Sequence, residues 1–178
     1  MGRLTRFFTE IVEEIVKTTP KIVMEYSSGV STIVIAEFFK MNGIGHVYSL
    51  EHNIDYGQRT RELLKKYNLI EWATVIDAPL TTCQTGQPWY DLKMLPQSAI
   101  NVEVVIVDGP PEDTSRLARY PALPCLLDRL AASTLILVDD ASRPDEISTI
   151  RKWIQEFPDF THRALNCEKG AHLLSVQR

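Results

Sequence analysis

The apolar positions fall into two periods that alternate along the chain. Leu4, Phe7, Phe8, Ile11, Val12, Ile15 and Val16 recur at helical spacing, with Arg6, Glu10, Glu13 and Glu14 between them. Residues 4–17 therefore predict an amphipathic helix with one buried stripe. Thr18, Thr19 and Pro20 end it, and KIVMEY (21–26) follows as a short apolar run with strand character. Residues 31–41 return to helical spacing. HVYSLEH (46–52) reads as a strand after the turn residues Asn42, Gly43 and Gly45. Residues 54–67 read as a polar helix with Leu63, Leu64 and Tyr67 on one side, and ATVIDA (73–78) as another strand.

Residues 81–100, with Gly86, Pro88 and Pro96, read as irregular, the natural place for a lid or substrate loop. VEVVIVDG (102–109) is the most strand-like run in the chain. Residues 114–130 predict a helix interrupted by Pro121 and Pro124. STLILVDD (133–140) is again an apolar strand, ending in acids. Pro144 then opens a helix, with Asp145 and Glu146 in its first turn and Ile147, Ile150, Ile154 and Phe157 on one face; Pro158 stops it. Two short strands, around 161–167 and 171–177, flank the turn Glu168-Lys169-Gly170 and predict a hairpin. Continuously apolar strands alternating with helices predict an α/β, doubly wound, mostly parallel sheet with helices on both faces, closed by that antiparallel hairpin.

Composition narrows the picture. The chain has 178 residues, 44% apolar and 24% charged, which suits one domain over 1–178 with a sizeable core. Its net charge of −4 supplies no basic field, so no nucleic-acid partner is expected. No apolar run approaches the roughly 20 residues that span a bilayer. Glu10, Glu13 and Glu14 interrupt any leader-like segment, so a cytoplasmic protein without a membrane partner is expected. Cys83, Cys125 and Cys167 lack metal-like spacing and read as reduced thiols. Whether the chain forms a homodimer is not legible.

In open parallel sheets, ligands bind beyond the carboxyl ends of the strands. Glu25, Glu51, Asp77, Asp108 and the pair Asp139-Asp140 all stand at such ends. After Glu25 the loop Tyr26-Ser27-Ser28-Gly29-Val30-Ser31-Thr32 has one glycine, and Ser31 or Thr32 is placed to cap the next helix. The three-glycine pyrophosphate loop and the Gly-Lys-Ser/Thr phosphate loop are both missing. Glu25 would repel a phosphate and attract a cation. Glu51 follows Gly29 at the spacing of an acid that holds ribose hydroxyls. The residues thus point to a nucleoside with a cationic, phosphate-free tail, bound together with a small-molecule substrate.

EYSSGVST (25–32), SLEHN (49–53), IDAP (76–79), VIVDGPP (105–111), RYPAL (119–123) and LVDDASR (137–143), in that order, resemble the class I S-adenosylmethionine-dependent methyltransferases. The likeness is to the small branch whose first motif runs Glu-aromatic-Gly-Ser-Gly-x-Ser-Thr. It implies a seven-stranded Rossmann-like sheet of order 3-2-1-4-5-7-6, its last strand inserted antiparallel. It implies S-adenosyl-L-methionine as cofactor, with Glu25, Tyr26, Ser27, Ser28 and Gly29 around the methionine part and Ser31 and Thr32 at the helix start. Glu51 would hold the ribose beside His52 and Asn53, Asp77 and Ala78 would edge the adenine, and Asp108 and Gly109 would lie near the sulfonium. Ser27 stands where that branch usually has glycine; if the turn needs positive φ, serine costs about 1 kcal/mol.

Methyl transfer needs positioning and a base. Asp108, Asp140 and His52 are the candidate catalytic groups. By likeness to the metal-dependent catechol-type enzymes, Asp108, Asp139 and Asp140 would converge on Mg2+. Arg119, Tyr120 and Arg143 suit an anionic or hydroxylated acceptor, although both arginines could equally bridge to the aspartates. O-methylation is favoured over N-methylation. A non-catalytic methyltransferase-like scaffold and a nicotinamide-dependent oxidoreductase are the alternatives.

Overall fold

A computed structural model describes residues 6–177; the expected helix begins at Leu4, outside that range. The elements in chain order are α1 (Arg6–Thr18), β1 (Ile22–Tyr26), α2 (Val30–Asn42), β2 (His46–Glu51), α3 (Ile54–Lys66), β3 (Ala73–Asp77), β4 (Leu80–Thr82), β5 (Pro88–Tyr90), β6 (Val102–Val107), β7 (Leu130–Val138), α4 (Pro144–Glu156), β8 (Thr161–Leu165) and β9 (Ala171–Gln177). The main sheet has seven strands in the order β3-β2-β1-β6-β7-β9-β8. With the small β4–β5 hairpin set aside, this is the expected 3-2-1-4-5-7-6. β9 lies antiparallel between β7 and β8; the other neighbours run parallel.

Strand side chains alternate between the faces. Val23, Val47, Val75, Val104, Ile106 and Leu137 face Phe7, Ile11 and Ile15 of α1, Ile35 and Phe39 of α2 and Leu64 of α3. Met24, Tyr26, Leu50, Val105, Val107 and Val138 face the opposite way, against Ile150 and Trp153 of α4 and the 118–126 segment. Both faces of the central strands are dry, which explains their unbroken apolar runs. Among the described residues no helix is long and apolar enough to cross a membrane.

Two expected elements differ. Residues 114–130 form no α-helix; they hold short 3-10 turns at Tyr120–Ala122 and Leu127–Arg129, after one at Glu112–Thr114. Pro121 and Pro124 each remove an amide donor, so an i→i+4 ladder cannot persist between them. Trp153 fixes the segment to α4 by donating from Nε1 to the Tyr120 carbonyl at 2.9 Å. Residues 81–100 are not irregular throughout, since Leu80–Thr82 pairs antiparallel with Pro88–Tyr90. Gly86, at φ 83°, supplies the left-handed residue of the connecting turn.

Trp153 is fully buried. Its replacement by alanine removes a large ring and one hydrogen bond, so Trp153→Ala should lower unfolding free energy by about 3–5 kcal/mol in a urea titration.

Candidate functional site

The site begins with Glu25 at the end of β1. It is 1% exposed and, among the described residues, has no cation beside it. Three hydroxyls donate to it: Ser31, Thr32 at 2.5 Å and Ser49 of β2 at 2.8 Å. Burial raises its pKa, partly opposed by these hydroxyls. Of the two expected capping residues, Thr32 supports the start of α2 and Ser31 instead faces Glu25. Gly29 is the N-cap residue, and Thr32 supports it from inside the helix by accepting from the Gly29 amide at 3.1 Å. The hydroxyls point back to Glu25 because an unpaired buried carboxylate costs far more than an uncapped turn at the surface.

Between Glu25 and α2 the chain turns through Ser27, at φ 121°. The turn does require positive φ. It presents Ser28 to Glu51: the Ser28 amide and hydroxyl donate to Glu51 Oε2 at 3.0 and 3.1 Å. The Asn53 amide donates to Oε1 at 2.9 Å. Glu51, though 5% exposed, borders a cavity of about 590 Å3. Ser27, Ser28, His52, Asp108, Gly109 and Asp140 also line it. A second hollow of about 270 Å3 shares Ser27, Ser28 and Asp108 and reaches under Phe7 and Phe8 of α1, with Gly29, Ser31 and Asp139 on its wall.

Other expected contacts fall elsewhere. Tyr26 follows Glu25 in a strand, so its side chain faces the opposite side, fully buried against Trp89 and Tyr90. Only its backbone reaches the rim, where its carbonyl accepts from the Asp108 amide at 3.3 Å. Asn53 caps α3, accepting from Asp55 and Tyr56 amides. Asp77 pairs with Arg61 at 2.9 Å, and Ala78 is core; neither lines the cavity, although Asp77 is the register partner of Glu51. Glu25 and Thr32 are likewise buried behind the wall. Trp89 and Trp153 are core residues.

The cavity also contains residues the sequence did not single out. Tyr90, at the end of β5, has a buried hydroxyl without a hydrogen-bond partner, and His52 Nδ1 beside it is likewise unpartnered and 3.4 Å from Glu51 Oε1. Tyr56, Glu112 and Asp113 complete the outer wall. Strand parity in a recognised 88–90 strand would have been the signal for Tyr90. A side chain at Gly109 would put its Cβ 2.4 Å from the Tyr90 hydroxyl, so this part of the floor admits backbone only.

Asp108, Asp139 and Asp140 converge: ligand atoms of the three lie within 4.8 Å of one another. Arg119 stands among them. Its Nη2 is 3.6 Å from Asp108 and 3.2 Å from Asp140, and its Nη1 donates to the Asp139 carbonyl at 2.8 Å. Asp140 also meets Arg143 at 3.0 Å and Lys169 at 3.5 Å. The arginines thus bridge the acids, the plainer of their two expected roles. Asp108 is half-exposed at the cavity mouth. Desolvation by the walls, then the neighbouring Asp139, push its pKa up to about 7 against the pull of Arg119.

A pocket beyond the strand ends and a last strand inserted antiparallel between its neighbours define a Rossmann-like α/β fold of the methyltransferase type. A methyltransferase-domain family profile (family 24) matches residues 26–141, and the chain belongs to that family. No curated protein matches it by sequence. A Klebsiella pneumoniae protein assigned as an O-methyltransferase superposes with TM-score 0.70 at 19% identity, over 99% of this chain and 82% of that one. A Staphylococcus aureus protein assigned as a caffeoyl-CoA O-methyltransferase gives 0.71 at 13%, covering 99% and 84%. The Podospora anserina methyltransferase PaMTH1, solved with SAH bound, gives 0.70 at 17%, covering 96% and 77%. These likenesses share the fold.

Ser27→Gly should relieve the strained turn and raise stability by about 1 kcal/mol in denaturant unfolding. The raised Asp108 pKa has its own signature. The folded chain keeps this proton up to about 7, against 3.8 normally, so its contribution to stability is full below about 4 and is lost as pH rises through 7. Asp108→Asn should therefore gain on wild type progressively between pH 4 and 7, read by urea unfolding across that range.

Proposed function

We propose that the chain is an S-adenosylmethionine-dependent methyltransferase that methylates a hydroxyl of a small-molecule acceptor. The observation that carries this reading is Glu51, an acid held by Ser28 and Asn53 at the end of β2 and bordering the 590 Å3 cavity. An acid so fixed suits the paired hydroxyls of a ribose. The Tyr90 hydroxyl, buried without a hydrogen-bond partner among the described residues, adds a polar group to the cavity wall. The SAH bound to the Podospora fold relative supports the cofactor, and the O-methyltransferase assignments of two others support oxygen as acceptor. The acids Glu112 and Asp113 on the outer wall, with the net charge of −4, favour a small molecule over nucleic acid. The nicotinamide reading gives way to the family membership.

When bound, S-adenosylmethionine supplies an electrophilic methyl group on a sulfonium. The chain's own residues would do the rest. Glu51 holds the ribose, with His52 and Asn53 beside it, and the end of β3, where Asp77 and Ala78 sit outside the cavity lining, flanks the adenine side. The Ser27-Ser28-Gly29 backbone and the smaller hollow, with Ser31 on its wall, receive the amino-acid end, while Glu25 and Thr32 hold that turn from behind. Asp108, with Gly109 beneath it, accepts the acceptor's proton; a base with pKa about 7 is suited to neutral pH. Asp140 keeps Arg119 and Arg143 in place along the acceptor side.

Titration calorimetry with S-adenosylhomocysteine tests the reading. Wild type should bind, and Glu51→Ala, losing a charged hydrogen-bond acceptor worth about 1.5–3 kcal/mol, should bind roughly ten- to a hundredfold more weakly. No binding by wild type, or equal affinity in the variant, overturns it. With an acceptor in hand, Asp108→Asn should lower kcat by about 10²–10⁴ and abolish the rise in rate through pH 7.

A further inference from the structure

Three carboxylates meeting at strand ends are the donor set of a hard divalent cation. The position is compromised by its own arginine. Arg119 is 3% exposed and is held on several sides: by the Asp139 carbonyl, by Asp140, and by Glu146 of α4 at 3.7 Å from Nε. Its backbone lies in the segment that Trp153 ties to α4. Arginine does not give up its proton in proteins, so this charge is permanent. A divalent ion among the acids would sit about one ion-pair distance from it, in a partly desolvated place where like charges repel strongly.

Asp140 is the most engaged of the three acids: its Oδ2 faces Arg119 and Arg143, while its Oδ1 has the exposed Lys169 ammonium at 3.5 Å and no hydrogen bond among the described residues. Counting Asp108, Asp139, Asp140, Glu146 and Glu112 against Arg119, Arg143 and Lys169, five negative groups meet three positive ones. The protein's own cations compensate the cluster in part, and Arg119 does so from within it.

Building on the methyltransferase reading, we infer that this chain works without a divalent cation, because Arg119 fills the place among Asp108, Asp139 and Asp140 that the ion would take. Arg119 is then a positioning residue, orienting Asp108 toward the acceptor. The acceptor class follows. With no metal to acidify it, the hydroxyl must be acidic by its own structure, a phenol-type hydroxyl rather than an aliphatic alcohol.

The test is Mn2+ binding, followed by the loss of the free-ion electron paramagnetic resonance signal. Wild type should take up no Mn2+ at about millimolar concentration, whereas Arg119→Met should bind it at least about tenfold more tightly, and Arg119→Met/Asp139→Asn should lose that gain. Wild-type binding in the micromolar range that Asp139→Asn removes overturns the inference, and this result needs no arginine variant to fold. A folded Arg119→Met chain, verified by thermal unfolding, that gains no Mn2+ also overturns it. S-adenosylhomocysteine calorimetry on the same samples separates the two claims. Its failure removes the methyltransferase reading, whereas the Mn2+ result alone judges the occupant of the acid cluster.

Discussion

The site depends on a buried carboxylate that, among the described residues, has no cation beside it. Glu25 closes β1 inside the packing between the sheet and α2, and only hydroxyls satisfy it. A buried charge left unpaired costs several kcal/mol, and hydrogen bonds to a charged group return about 1.5–3 kcal/mol each. Ser31, Thr32 and Ser49 are therefore required partners, and they belong to two different elements. Satisfying Glu25 pins the first turn of α2 and the middle of β2 to the end of β1. Little freedom remains for the residues between Tyr26 and Val30.

That restriction is what shapes the cavity. The intervening turn runs through positive φ at Ser27 and delivers Ser28 to Glu51. Glu51 is thus oriented by the turn that Glu25 fixes. Across the sheet the same problem, acids in a poorly solvated place, is solved in the opposite way. Asp140 is surrounded by cations, and Arg119 is shared among several acids. Asp108 is the member of this group left half-exposed, and its raised pKa records incomplete compensation. One wall is built from hydroxyls and the other from ion pairs; the group free to exchange a proton lies where they meet.

Much of this was legible in the chain, for identifiable reasons. Strands buried on both faces leave unbroken apolar runs, and the central parallel strands were found that way; β8, exposed along most of its length, was legible instead from the Glu168-Lys169-Gly170 turn. The place of Glu51 at the cavity wall was legible because the carboxyl end of an apolar parallel strand opens onto the ligand edge of the sheet. Tyr26 was misplaced for a reason the sequence contained: adjacent strand residues face opposite sides, so Glu25 and Tyr26 cannot share a ligand. Asp77 pairs with Arg61 of α3, a contact that strand-end position does not reveal. The 114–130 stretch is apolar enough for a helix, and its prolines outweigh that pattern. The β4–β5 hairpin escaped notice because three-residue strands leave no period to read, so Tyr90 was missed with it. The position of Arg119 inside the acid cluster follows from tertiary packing through Trp153 and α4, which no local spacing encodes.

Serine at position 27 then has a physical account. A left-handed backbone costs a non-glycine residue about 1–2 kcal/mol. Glycine would avoid that cost, but it would also free the turn in the unfolded chain, at an entropic cost of up to about 1 kcal/mol on folding. Against the strain stand the two bonds from Ser28 to Glu51, each made to a charged acceptor and each dependent on the turn holding its shape. Together they outweigh a single strained φ. The serine is tolerable because Glu25 on one side and Glu51 on the other over-determine the turn, and loss of either anchor would expose the strain as instability.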